Sequence, residues 1–142
     1  MDAPRVALRS MTTIEFRRYL KLAVPAYARG HVRAGDVDPK KALARAKAEY
    51  AELLPKGVAT PAHHLYTIVL AENDKAIGML WFDLKQRHGK RKAFIFDFRL
   101  ENAQRGKGLG RQALAALDVA ARALYEKSGF RYSSMHMTKD LY

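Results

Sequence analysis

The stretch Arg105-Gly106-Lys107-Gly108-Leu109-Gly110-Arg111 holds the residue types and spacing that point most directly to chemistry. It lies between a predicted strand and a predicted helix. The first N–H groups of a helix have no partner inside it, and the helix dipole places partial positive charge on them. Glycines let the backbone approach a bulky anion closely. Arg105, Lys107 and Arg111 add cations, and backbone donors with cations suit a diphosphate. The spacing is neither Gly-x-x-x-x-Gly-Lys-Ser/Thr nor Gly-x-Gly-x-x-Gly, because Gly106, Gly108 and Gly110 fall two apart throughout. The plainer alternative is a glycine-rich turn that caps a helix.

Asp97 is the second candidate, a carboxylate midway along the otherwise apolar stretch from Ala93 to Leu100. There it would accept a proton directly or through water. The competing reading is an ion pair with Arg99, two residues on and so on the same face. His63 and His64 precede a predicted strand and read as loop residues that could help line a site.

The elements that must position these groups follow from periodicity and punctuation. Pro4 to Ser10 reads as a short strand. Thr12 caps a helix, with Glu15 three residues later as in a capping box, and Pro25 is expected to kink or break it. Gly35 ends that region. Asp38-Pro39 is expected to start a second helix, with an apolar stripe of Ala42, Leu43, Ala46, Tyr50, Leu53 and Leu54, and Pro55-Lys56-Gly57 stops it. His64 to Ala71, Ala76 to Leu84 and Ala93 to Leu100 read as an antiparallel meander. Alternation in the last of these puts Phe94, Phe96, Phe98 and Leu100 on one face, and Ile95, Asp97 and Arg99 on the other. A helix from Leu109 to Ser128 follows, with Leu114, Leu117, Ala121 and Leu124 in one stripe. Gly129 is placed to cap it, and Phe130 to Thr138 is the last strand. The reading is an α/β domain with a mixed, mainly antiparallel sheet and flanking helices, a single domain over residues 1–142.

Composition narrows the function classes. The chain has 142 residues and no cysteine, which excludes disulfide and thiol chemistry. His31, His63, His64, His88 and His136 show no zinc-type spacing, so no metal site is expected. No apolar run approaches the roughly 18 residues of a membrane span, and a cytoplasmic protein without a membrane partner is expected. The formal charge of +12 favours anionic partners. Its basic residues are spread along the chain, so nucleic acid is a minor alternative.

Arg105 to Gly110 matches the Arg/Gln-x-x-Gly-x-Gly/Ala signature of the GCN5-related N-acetyltransferases (GNATs). Ala123-Leu124-Tyr125-Glu126-Lys127-Ser128-Gly129-Phe130 resembles their second signature, of the A-x-x-LYEK-x-GF type. The N-terminal half is similar to a bacterial subgroup, through Tyr27-Ala28, Leu54-Pro55-Lys56-Gly57 with Thr60-Pro61, and Gly78 to Trp81 before Phe82. The resemblance implies acetyl-coenzyme A as co-substrate and a small-molecule or peptide amine as acceptor. It implies that Arg105, Gly106, Lys107, Gly108, Leu109, Gly110 and Arg111 hold the pyrophosphate. The edge formed by Phe98, Arg99 and Leu100 would pair with the pantetheine arm, and one of its N–H groups would polarise the thioester carbonyl. Tyr125 would protonate the departing thiolate.

The sequence departs from that family in one place. Its members put a strand between the two signatures, whereas here Gln112 to Arg122 is helical in composition throughout and leaves no room for one. Two helices read as fused into one. Gly108 and Tyr125, 17 positions apart, would then lie roughly 25 Å from each other. An omitted internal segment, a deletion, or a homodimer whose partner chain supplies the missing part (an intertwined dimer) each account for this. The alternative to an active enzyme is an impaired GNAT scaffold that binds coenzyme A or a partner chain.

Overall fold

The computed structural model describes residues 5–87, 90–127 and 136–138. It divides into two compact units: residues 11–61, and residues 1–10 with 62–142. The first unit is helical. It holds α1 (Thr13–Ala34), α2 (Ala42–Leu53) and a 3-10 turn at Gly57–Ala59. The second holds β1 (Val6–Ser10), β2 (His63–Leu70), β3 (Ala76–Arg87), β4 (Lys90–Leu100), α3 (Leu109–Lys127) and β5 (His136–Thr138). The sheet order is β1-β2-β3-β4-β5. The first four strands run antiparallel, and β5 joins β4 in parallel. This is the mixed, mainly antiparallel sheet that the sequence implied. Gly129 and most of the expected strand from Phe130 lie outside the described residues. Among the described residues no helix is long and apolar enough to cross a membrane.

In the helical unit the capping box forms as expected. Thr12 Oγ1 accepts from Glu15 N at 3.1 Å, and Glu15 Oε1 accepts from Thr12 N at 2.9 Å. Pro25 does not end α1, which runs through it to Gly35. Gly35 adopts φ 77° and donates to His31 and Val32 carbonyls, the left-handed cap that glycine provides. The second helix starts later than Asp38-Pro39 suggests. Asp38 instead folds a turn, accepting from Lys40 N through its side chain and from Lys41 N through its carbonyl. Helix α2 then begins at Ala42, and Ala42, Ala46 and Tyr50 are its buried face. Tyr50 meets Tyr27 of α1 edge to face at 5.6 Å.

In the sheet unit α3 covers one face. Ile68, Ile77, Leu80, Phe82, Ala93, Ile95 and Phe98 pack with Leu109, Ala113 and Leu117 of α3. Leu114 and Leu124 flank them. The β3–β4 register shifts at one point: Trp81 faces Asp97 but Phe82 faces Ile95, so Phe96 is an extra residue in β4. A bulge of this kind resets the alternation of a strand. Ile95 and Phe98 therefore share the α3 face, while Phe94 and Phe96 join Asp97 and Arg99 on the other. The simple alternation expected from sequence fails here because it has no place for the extra residue.

Gly78 explains how β4 sits so close to β3. A Cβ at this position would collide with the backbone carbonyl of Arg99. Gly78→Ala should therefore cost about 1–3 kcal/mol through forced displacement of β4, measured by urea denaturation. Unchanged stability would show that β4 is free to shift there.

Candidate functional site

The loop that enters α3 is open on its backbone side. Gly106 and Gly108 adopt φ 78° and 76°, a region costly for other residues. No heavy atom lies within 4 Å of where their Cβ atoms would be. Arg105 N bonds to Asn102 O at 3.2 Å, and the next loop donor with a protein acceptor is Gln112 N, to Gly108 O at 3.3 Å. Between them, the N–H groups from Gly106 to Arg111 have no hydrogen bond among the described residues. Lys107 and Arg111 are exposed. Leu109, fully buried, anchors the loop in the core. Gly110 lies against β4, its Cβ position 3.6 Å from Leu100 Cδ1 and 3.8 Å from Phe98 Cζ.

The second component is the edge of β4. Among the described residues, parallel pairing with β5 covers Lys92 to Phe94. Among the described residues no strand covers that edge from Ile95 to Leu100. Glu101 N bonds to Ile77 O at 2.8 Å, which fixes which residues turn their backbone toward β3. By the alternation of antiparallel pairing, Arg99 faces β3, while Phe98 and Leu100 turn their N–H and C=O groups to the open edge. Arg105 Nε donates to the Leu100 carbonyl at 3.3 Å from that side. Of the three residues implied for the pantetheine edge, Phe98 and Leu100 thus present backbone groups outward.

Asp97 is 1% exposed and forms the ion pair with Arg99, whose Nε lies 3.2 Å from Oδ1 and 3.1 Å from Oδ2. Tyr125 is in α3, which is unbroken from Leu109. Fifteen positions of helix separate it from Gly110, roughly 22 Å. The bulge residue Phe96 lies only about 10 Å back along β4 from the level of Gly110. The open edge closes within about 17 Å, where β5 begins to pair. Unbroken helix thus carries Tyr125 well away from the loop of its own chain.

His63 and His64 both lie in β2, which starts one residue before the strand expected from His64. His63 Nδ1 accepts from Trp81 Nε1 at 3.0 Å, and its ring packs on Phe96 at 5.3 Å. His64 lies against Phe82 at 5.2 Å.

The profile of the acetyltransferase (GNAT) family matches residues 37–127. The Bacillus subtilis protein named Uncharacterized N-acetyltransferase YycN is 39% identical over 155 aligned positions, covering 96% of this chain and 99% of that protein. Its crystal structure superposes with a TM-score of 0.74 over the same shares of the two chains. An aminoglycoside acetyltransferase from an uncultured soil metagenomic sample, solved with sisomicin, shares the fold at 12% identity and a TM-score of 0.51, over 95% of this chain and 78% of its own. The chain belongs to the acetyltransferase (GNAT) family. Since 96% of 142 residues is about 136, about 19 of the 155 positions aligned with YycN have no residue here.

Sequence reasoning missed the Trp81–His63 pair. It becomes visible only when the β2–β3 register sets Leu65 opposite Trp81 and His63 opposite Asp83. Burial lowers the pKa of His63 below the ordinary 6.5, and Lys85 adds to this while Asp83 opposes it. Its neutral form is the one that accepts from Trp81. A lowered folded-state value means that the stabilisation is complete above pH 6.5 and is lost as pH falls through the lowered value. An emission titration of Trp81 should show a transition centred below 6.5 that His63→Asn removes. A transition at or above 6.5 would contradict the assignment.

Proposed function

We propose that this chain moves an acetyl group from acetyl-coenzyme A to a primary amine by direct attack within a ternary complex. The amine nitrogen bonds to the thioester carbonyl carbon as the C–S bond breaks. The amine gives up a proton, and the thiolate takes one. The observation that carries this reading is the run of N–H groups from Gly106 to Arg111, without hydrogen bonds among the described residues, beside an edge of β4 that no described strand covers from Ile95 to Leu100. A diphosphate would take the loop donors, assisted by Arg105, Lys107 and Arg111. The pantetheine arm would then lie back along β4 as an added strand, bonding Phe98 and Leu100. Either of their N–H groups would meet the oxyanion. The absence of cysteine agrees with transfer that uses no acyl-enzyme thioester.

We assign the amine's proton to Asp97 through water, because the carboxylate is buried and already bonded by Arg99. We assign protonation of the thiolate to Tyr125 of a second copy in a homodimer, because unbroken helix separates Tyr125 from the loop of its own chain. The acceptor class, an amine, comes from the family; the aminoglycoside named for the metagenomic enzyme is one of several open candidates, with polyamines, amino acids and protein amines.

Thiol release with acetyl-coenzyme A and a panel of amines tests both assignments. Gly108→Glu puts a side chain at a positive φ and a negative charge on the anion site, and should weaken coenzyme A binding roughly 100-fold in calorimetry. Tyr125→Phe should bind coenzyme A normally and turn over slowly. Mixing the two variants should restore about a quarter of wild-type activity, since half the dimers then carry one complete site. Full coenzyme A affinity in Gly108→Glu would overturn the loop assignment, and no restoration on mixing would overturn the role of Tyr125 in a dimer.

A further inference from the structure

The face of the sheet away from α3 carries a cluster that the loop and the open edge do not use. Phe94 and Phe96 meet edge to face at 4.9 Å, and Phe96 stacks on Trp81 at 4.6 Å. Lys85 holds its ammonium over this wall, 5.7 Å from the Phe94 ring centre and 5.9 Å from that of Phe96. The same ammonium lies 3.3 Å from Asp83 Oδ2. The Asp83 side chain is 5% exposed, and its Oδ1 is buried with no hydrogen-bond partner among the described residues. A buried acceptor left unmatched is costly and rare, so this oxygen is a place for a further N–H donor. A carboxylate set beside aromatic faces is the chemistry that recognises an organic cation. The Lys85 side chain is 47% exposed, so its head is displaceable.

The cluster also stands where an acceptor is needed. Phe96, part of its wall, is the bulged residue of β4. An arm lying along the open edge from the loop reaches the level of that residue. Asp83 faces Phe94 in the β3–β4 register and Trp81 faces Asp97. Two strand residues, about 7 Å, therefore separate an ammonium held at Asp83 from the level of Asp97. A second amino group that far along an aliphatic chain would lie beside the thioester.

We infer that this cluster is the acceptor subsite, taking an aliphatic diamine or polyamine. One ammonium sits on Asp83 and the Phe94–Phe96–Trp81 wall, in the place Lys85 occupies, and a second amine attacks. This rests on the acetyl-transfer reading for the identity of the reaction, but binding at the cluster is measurable without it.

Trp81 is the single tryptophan of the chain, so its emission reports on this wall and on His63 beside it. At pH 8, 1,4-diaminobutane should shift that emission saturably in the wild type. Lys85→Met, which removes the resident ammonium, should tighten binding about tenfold. Asp83→Asn should abolish the response while circular dichroism shows an intact fold. If Lys85→Met fails to fold, the wild type against Asp83→Asn decides the matter. In turnover, Asp83→Asn should raise the KM for the diamine at least roughly tenfold with kcat and coenzyme A affinity retained. No response in the wild type, or an equal response in Asp83→Asn, overturns the inference. Coenzyme A calorimetry on the same samples separates the two readings. Coenzyme A binding without a diamine response removes only the subsite. A diamine response without coenzyme A binding supports the subsite and removes the transfer reading.

Discussion

One side of β4 carries no partner strand among the described residues from Ile95 to Leu100, and the rest of the sheet unit is arranged around that edge. Unpaired strand edges attract other chains, so a fold that keeps one must use or guard it. Among the described residues β5 covers the amino end, and Arg105 covers the Leu100 carbonyl. The bulge at Phe96 bends the strand at the boundary between the two stretches. Gly78 lets β3 hold β4 from the other side without pushing it outward. The loop before α3 then opens its N–H groups at the end of the edge where Leu100 lies. An extended ligand with an anionic end and amide groups along its length matches that sequence of donors and acceptors.

The charge balance is consistent with such a site. The chain is strongly basic at +12, which suits an anionic donor and opposes a cationic acceptor. The opposition is relieved locally. Among the described residues Asp83 and Asp97 are the buried carboxylates of the sheet, and both lie on the face away from α3. Each already holds a cation of this chain, Lys85 and Arg99 respectively. A polycationic ligand would therefore exchange for existing ion pairs rather than enter a bare negative pocket, at a smaller cost in desolvation.

Much of this was legible in the sequence. The capping box at Thr12, the glycine cap at Gly35, the meander and the long helix from Leu109 all follow from local punctuation and periodicity, which local physics enforces. The glycine loop was legible for the same reason, since positive φ values at Gly106 and Gly108 are what its glycines permit. The bulge was not, because an extra residue shows only against the register of a neighbouring strand. That one feature moved Phe98 and Leu100 to the α3 face and put Phe96 beside Trp81. The start of α2 was misplaced because Asp38 spends its side chain on a turn rather than on the helix. Pro25 within α1 shows packing overriding a local breaker. His63 and the aromatic wall depend on contacts between strands, as the Trp81–His63 bond and the Trp81–Phe96 stack do, and no local pattern announces them.

The most direct measurement of the central claim is an amide-resolved NMR titration of the protein with coenzyme A. If the loop holds the diphosphate and the edge of β4 pairs with the arm, the largest shifts fall on the amides from Gly106 to Arg111 and on Phe98 and Leu100. Saturation with those amides unmoved, or with the changes confined to another surface, would contradict the account.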